Sequence, residues 1–149
     1  MKTHIKPLYT IGYEGWEIED FVSCLQGFKI NCLLDVREIP LSRKKGFSKK
    51  VLSKKLNERG IRYIHMKELG SPREIRHKLY QDGDYDYFFN AFQNYINRKK
   101  HFIKYAYEQM KDYVACLMCF EKLAFKCHRS VVAEEIKTHN GIPFEIKNI

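Results

Sequence analysis

Ile30-Asn31-Cys32-Leu33-Leu34-Asp35-Val36 is the stretch on which the fold turns. It is apolar except for Asn31 and Asp35 and too short for a helix. It therefore reads as a strand covered on both faces, as in the parallel sheets of α/β domains. Pro40 then forces the chain into a loop. Upstream, Leu8 to Ile11 is a similar run stopped by Gly12, after which Ile18, Phe21, Val22 and Leu25 recur at helical spacing until Gly27. Downstream, Ser48 is expected to cap a helix, with Phe47 and Leu52 as its hydrophobic staple and Gly60 closing the far end. Ile61 to Ile64 starts a third strand, and Ser71-Pro72-Arg73-Glu74 predicts a helix capped by Ser71 with Pro72 at its first position. Asp82-Gly83-Asp84 breaks that helix. Phe88, Phe92, Tyr95 and Ile96 share one face of the next, and Phe102 to Asp112 reads as helical again.

Tyr113 to Phe120 is a fourth buried-type run. A loop through Leu123 to Lys126 leads into Cys127-His128-Arg129-Ser130, which opens a helix carrying Val132, Ala133 and Ile136, and Pro143 to Ile146 closes the chain as a strand. No repeat, low-complexity stretch or linker interrupts this alternation. The 149 residues are thus expected to form one α/β domain, a mostly parallel open sheet of about five strands with helices on both faces.

Composition narrows the function. No apolar run reaches the 18 residues of a membrane span. Met1 to Thr10, with Lys2, His4 and Lys6, has neither the apolar run nor the small-residue cleavage site of a signal peptide. Five cysteines without an extracellular framework point to reduced thiols in a cytoplasm. The net charge of +9 is uneven: between Arg37 and Arg59, nine basic residues face Glu38 and Glu58 alone, whereas residues 105 to 149 balance at six against six. Lys44, Lys45, Lys49, Lys50 and Lys54 in this segment read either as a solvated helix face or as an electrostatic footprint for nucleic acid. Phe47 is the sole aromatic residue there, so no stacking platform for single strands is indicated.

Ligands of open α/β sheets bind beyond the carboxyl ends of the strands. Four chemically equipped segments fall at that edge: Gly12-Tyr13-Glu14-Gly15, Asp35 to Arg37, His65, and Cys119 with Glu121, followed by Cys127-His128-Arg129. Backbone N–H groups at a helix start and an adjacent guanidinium favour an anion or a Cys127 thiolate, against the alternative that Cys127 is a small buried hydrophobe. Arg37, Ser42, Arg43, Arg73, Arg76 and Arg129 supply donors suited to phosphate or carboxylate. Asp35 is either a general base or the partner that orients Arg37. Cys116 and Cys119 point to opposite faces of one strand and share neither metal nor disulfide. Cys119, Glu121, Cys127 and His128 match no common zinc spacing, so no metal is assigned. Neither phosphate-loop nor dinucleotide glycine signatures occur, and no cofactor is named.

Taken together, Thr10-Ile11-Gly12-Tyr13-Glu14-Gly15, Asp35-Val36-Arg37-Glu38-Ile39-Pro40-Leu41-Ser42, Gly46-Phe47-Ser48-Lys49, Leu69-Gly70-Ser71-Pro72-Arg73 and Leu117-Met118-Cys119-Phe120-Glu121 with Cys127-His128-Arg129-Ser130 resemble the DUF 488 family, a domain of unknown function. The resemblance runs from about residue 8 to residue 146. It implies a small cytosolic bacterial or archaeal α/β protein with signature positions at Tyr13, Asp35, Arg37, Pro40, Ser42, Ser48, Cys119, Glu121, Cys127, His128 and Arg129. It implies no activity.

The first expectation is an enzyme acting on a phosphate-bearing substrate, a nucleotide or nucleic acid. In it Arg37, Ser42, Arg43, Arg129, Tyr13 and His128 line the anion site, Cys119 or Cys127 supplies thiol chemistry, and Glu121 or Asp35 handles protons. The second is a non-catalytic nucleic-acid binding module using the basic segment, and a thiol or metal sensor is the third.

Overall fold

Among the described residues, 5–139 and 141–149 of this computed structural model, five strands form a single sheet in the order β3-β2-β4-β1-β5. The strands are β1 (Lys6–Gly12), β2 (Cys32–Asp35), β3 (Arg62–His65), β4 (Ala115–Cys119) and β5 (Phe144–Asn148), and every pairing is parallel. Lys2 and His4, which entered the signal-peptide argument, lie outside the described residues. None of the described helices is long and apolar enough to cross a membrane.

All residues of β2 and β4 are buried, as expected of central strands whose faces are both covered. The period-2 alternation of β4 sorts its side chains between two apolar layers. Cys116 and Met118 join Phe21, Val22 and Leu25 of α1 (Ile18–Gly27) and Leu52 and Leu56 of α2 (Lys49–Glu58) on one face. Leu117 and Cys119 join the other layer, built from α4 (Tyr85–Asn97), α5 (Lys100–Met110) and α6 (Arg129–Thr138). Helix α3 (Arg73–Asp82) buries no residue completely. Gly83 ends it in the left-handed conformation, and the Asp84 side chain caps α4 by accepting from the Tyr87 N–H.

Two expected caps act differently. Helix α2 starts just after Ser48, but the Ser48 hydroxyl accepts from the Ser42 N–H at 3.0 Å and donates to the Ser42 carbonyl at 3.2 Å. It ties the basic loop together instead of capping. Helix α3 starts at Arg73, with Pro72 at the cap position and Ser71 outside the helix, making no cap bond.

Chain order positions the site. From β1 the chain steps through α1 to β2 and through α2 to β3, moving toward one edge; it then returns through α3, α4 and α5 to insert β4 between β2 and β1, and ends at the opposite edge. The connections after β1 and β4 thus leave on opposite faces, and their divergence opens a crevice at the carboxyl end of β4, the switch point of such sheets. Backbone bonds lock its walls: Tyr13 N–H donates to Cys119 O at 3.0 Å, Glu14 N–H to Phe120 O at 2.8 Å and Val36 N–H to Met118 O at 3.1 Å. The approach is close enough to need glycine, since a β-carbon on Gly12 would fall 1.7 Å from the Glu121 carbonyl oxygen.

Candidate functional site

The crevice is a cavity of about 170 Å³ whose lining includes Tyr13, Arg37, Ser71, Arg76, Cys119, Glu121 and His128. Ile39, Leu41, Tyr80 and Phe120 also line it while remaining exposed, so they form its rim. The volume suits a phosphate-sized head group with part of a ring. A larger ligand would extend over the rim.

Arg37 is held by the end of β2. Asp35, fully buried, accepts from Arg37 Nε at 2.9 Å and Nη2 at 2.7 Å, from the Arg37 backbone N–H at 3.2 Å and from the Tyr63 hydroxyl at 2.6 Å. With four donors on its carboxylate, Asp35 orients Arg37 rather than standing free as a general base. Burial alone would lower the Arg37 pKa; the Asp35 ion pair and Tyr13 reverse that and raise it. Burial first, then Asp35, pushes the Tyr63 hydroxyl well above its ordinary value. Arg37 Nη1 donates to the Tyr13 hydroxyl at 3.3 Å, and the Tyr13 ring is stacked on Phe47 at 4.6 Å and edged by Phe120 at 5.3 Å. His65 reaches the Arg37 carbonyl through Nε2 at 2.8 Å. A guanidinium fixed on one edge in this way presents its remaining N–H groups without further ordering cost.

The opposite wall carries sulfur and acid. Glu121 Oε2 lies 3.5 Å from Cys119 Sγ, and burial raises the Glu121 pKa. Arg129 stands behind this wall, fully buried, and does not line the cavity. Its Nε donates to Thr10 Oγ1 at 3.2 Å, its Nη1 to Cys119 Sγ at 3.2 Å and to the Glu121 carbonyl, and its Nη2 to the Lys122 carbonyl at 3.2 Å. The expected anion ligand thus binds the β4–α6 connection to β1 and places a positive charge against the Cys119 sulfur.

His128 is almost fully buried, and its Nε2 meets the Val36 carbonyl at 2.6 Å. A carbonyl only accepts, so Nε2 carries the proton and Nδ1 keeps its lone pair, directed at Cys127 Sγ 3.7 Å away. Desolvation lowers the His128 pKa to about 4, which leaves the ring neutral at pH 7.

The structure pairs Cys119 with Cys127 as a disulfide, where the sequence predicts reduced thiols; Cys24, Cys32 and Cys116 are free. The pairing arises because the short 3₁₀ turn Ala124–Lys126 returns the chain from the end of β4 to the start of α6. Cys127 is buried behind Cys119 and takes the Arg129 backbone N–H at 3.5 Å.

Ser42 and Arg43 do not reach the cavity. The Ser42 hydroxyl accepts from the Lys44 N–H at 3.1 Å and shapes the basic loop, while Arg43 is exposed. Lys45, Lys49, Lys50 and Lys54 are also exposed and Lys44 is half-buried. None of these five has a carboxylate partner among the described residues, whereas Lys55 on α2 and Arg59 just after it both pair with Glu19. Arg76, Ser71 and Tyr80 belong to the cavity although only Arg76 stood among the general donors. Arg76 pairs with Glu38 at 3.0 Å and donates to the Ser71 carbonyl. Its signal was the four-residue spacing of Arg76 and Tyr80, which puts both on one side of α3.

The family model described as domain of unknown function DUF488 matches residues 17–136, most of the chain. No curated protein and no solved structure matches.

Proposed function

Since the chain belongs to the DUF488 family, a domain of unknown function, we propose that it is an enzyme acting on a phosphate-bearing substrate of the nucleotide or nucleic-acid class. The observation that carries this reading is Arg37, clamped by Asp35 and lining a cavity whose far wall holds Cys119 and a Glu121 carboxyl of raised pKa. In it, Arg37 and Arg76 receive the anion. Glu121, whose pKa burial raises, exchanges a proton with the bound group, and Cys119, when its disulfide with Cys127 is reduced, supplies a thiol at the same spot. Tyr80 and Phe120 on the rim offer aromatic faces to the part of the ligand that the cavity cannot enclose.

The test is binding of a nucleoside monophosphate series and of a 5′-phosphorylated single-stranded oligonucleotide, followed calorimetrically. Arg76→Ala and Tyr80→Ala should each weaken binding by about tenfold, the loss of one charge-assisted bond or one stacking contact. Glu121→Gln should bind normally and turn over nothing. Equal affinity of both alanine variants and the wild type would overturn the proposal.

A second reading, a nucleic-acid binding module, rests on the exposed cations Arg43, Lys45, Lys49, Lys50 and Lys54, which have no carboxylate partner among the described residues. Affinity carried by this stripe should fall log-linearly with salt and be reduced by Lys49→Glu with Lys50→Glu, while Cys127→Ser leaves it intact.

A further inference from the structure

We propose that, as free thiolates, Cys119 and Cys127 together with the imidazole of His128 bind a thiophilic divalent cation, zinc by its chemistry, with one coordination position open to the cavity. One ligand atom from each of the three residues falls within 4.8 Å of the others, and all three residues are buried. Their spacing in sequence resembles no common zinc signature because the donors come from a strand end and from the start of the following helix. The fold brings together what the spacing conceals.

Three features of the backbone and the surroundings suit an ion. The Cα atoms of Cys119 and Cys127 are 7.6 Å apart, beyond the roughly 4.4–6.8 Å of ordinary disulfides. Sulfurs bound at about 2.3 Å to one tetrahedral ion stand roughly 3.8 Å apart, which takes up the wider span. Cys127 Sγ and His128 Nδ1 lie 3.7 Å apart, close to the roughly 3.6 Å that Zn–S and Zn–N bonds of about 2.3 and 2.05 Å impose at a tetrahedral angle. The bond from Nε2–H of His128 to the Val36 carbonyl fixes the tautomer whose Nδ1 lone pair faces the sulfurs, as outer partners of metal-bound histidines do.

Charge and access agree with the geometry. Binding to the dithiol form exchanges two thiol protons for one M²⁺, so the centre is neutral and tolerates burial. The Arg129 guanidinium and the Arg129 backbone N–H donate to the Cys119 and Cys127 sulfurs respectively, bonds that thiolate ligands accept. Cys119 and His128 line the cavity, which gives the ion an entry path and points the fourth position, beside Glu121, at any bound substrate. Three protein ligands plus an open position is the pattern of catalytic rather than structural zinc. The inference deepens the reading above by assigning that cavity its metal, while the ligand set itself stands on the three side chains alone.

The experiment is anaerobic titration of phosphine-reduced full-length protein with Co²⁺, followed by displacement with Zn²⁺. One equivalent should produce a sulfur-to-cobalt charge-transfer band and intense tetrahedral d–d bands, which one equivalent of Zn²⁺ abolishes. Cys119→Ser, Cys127→Ser and His128→Gln should each lose or alter the spectrum, and Cys24→Ser should keep it. On the wild type, bound Zn²⁺ should slow alkylation of Cys119 and Cys127 but not of Cys24, a readout independent of how the variants fold. Absence of the bands from the reduced wild type, or their persistence unchanged in both Cys119→Ser and Cys127→Ser, would overturn the proposal. Failure of nucleotide binding would count against the substrate reading alone, because the cobalt spectrum reports only the ligand set.

Discussion

Arg37 can face the cavity as a fixed cation because Asp35 holds it from behind, and the pair is too buried to lose one member cheaply. Asp35→Ala should cost about 3–5 kcal/mol in urea unfolding, the usual penalty for stranding a buried charge; a loss under about 1 kcal/mol would mean that Arg37 is held by other groups. His128 makes a pH-dependent contribution to stability. Its folded pKa of about 4 lies below the ordinary 6.5, so between those values the unfolded chain takes up a proton that the folded chain refuses. Stability should therefore fall as pH drops from about 6.5 to 4, by at most about 3 kcal/mol. His128→Gln, which can still donate to Val36, should flatten that acid limb; an unchanged limb would assign it to other groups. At this scale the sequence was only partly legible. Residue type located Arg37, Cys119 and Glu121 at the strand ends, but nothing in the order of residues tells that Arg129 turns inward to Thr10, Cys119 and two carbonyls of the β4–α6 connection while Arg76 turns toward the cavity.

The elements were more legible, because burial on both faces writes itself into composition. Ile30 to Val36 and Tyr113 to Phe120 stand out as mostly apolar runs that contain β2 and β4, and the alternation along β4 separates Cys116 from Cys119 as their odd spacing requires. The caps misled, since Ser48 had a competing use in holding Ser42 and Pro72 occupied the position expected of Ser71. Gly12 tests the junction of β1 with the β4 connection. Gly12→Ala would push a methyl group into the Glu121 backbone, so the variant should lose about 1–3 kcal/mol of stability. Unchanged stability would show that the connection has room to shift. In α2, Leu52→Ala should cost about 2–5 kcal/mol by chemical denaturation because Leu52 is fully buried, whereas exposed Lys50→Glu should leave the unfolding midpoint nearly unchanged. Equal effects would contradict the inward and outward division of that helix.

Across the whole molecule, one edge of the sheet collects the chemistry and the loop leaving it carries the charge. Ile39 and Leu41 lead from the cavity rim into the loop that begins at Ser42, which the chain follows to the exposed lysines of α2. Parallel strands made this convergence readable, since all their carboxyl ends lie on one side. The most direct test of the arrangement is an NMR titration of ¹⁵N-arginine-labelled protein with a nucleoside monophosphate, following the guanidinium Nε–H resonances. Saturable shifts at Arg37 and Arg76, with Arg129 moving little because its donors are already engaged within the protein, are expected. Shifts confined to Arg43 and Arg59, with Arg37 and Arg76 unmoved at saturation, would contradict an anion site at the head of β4.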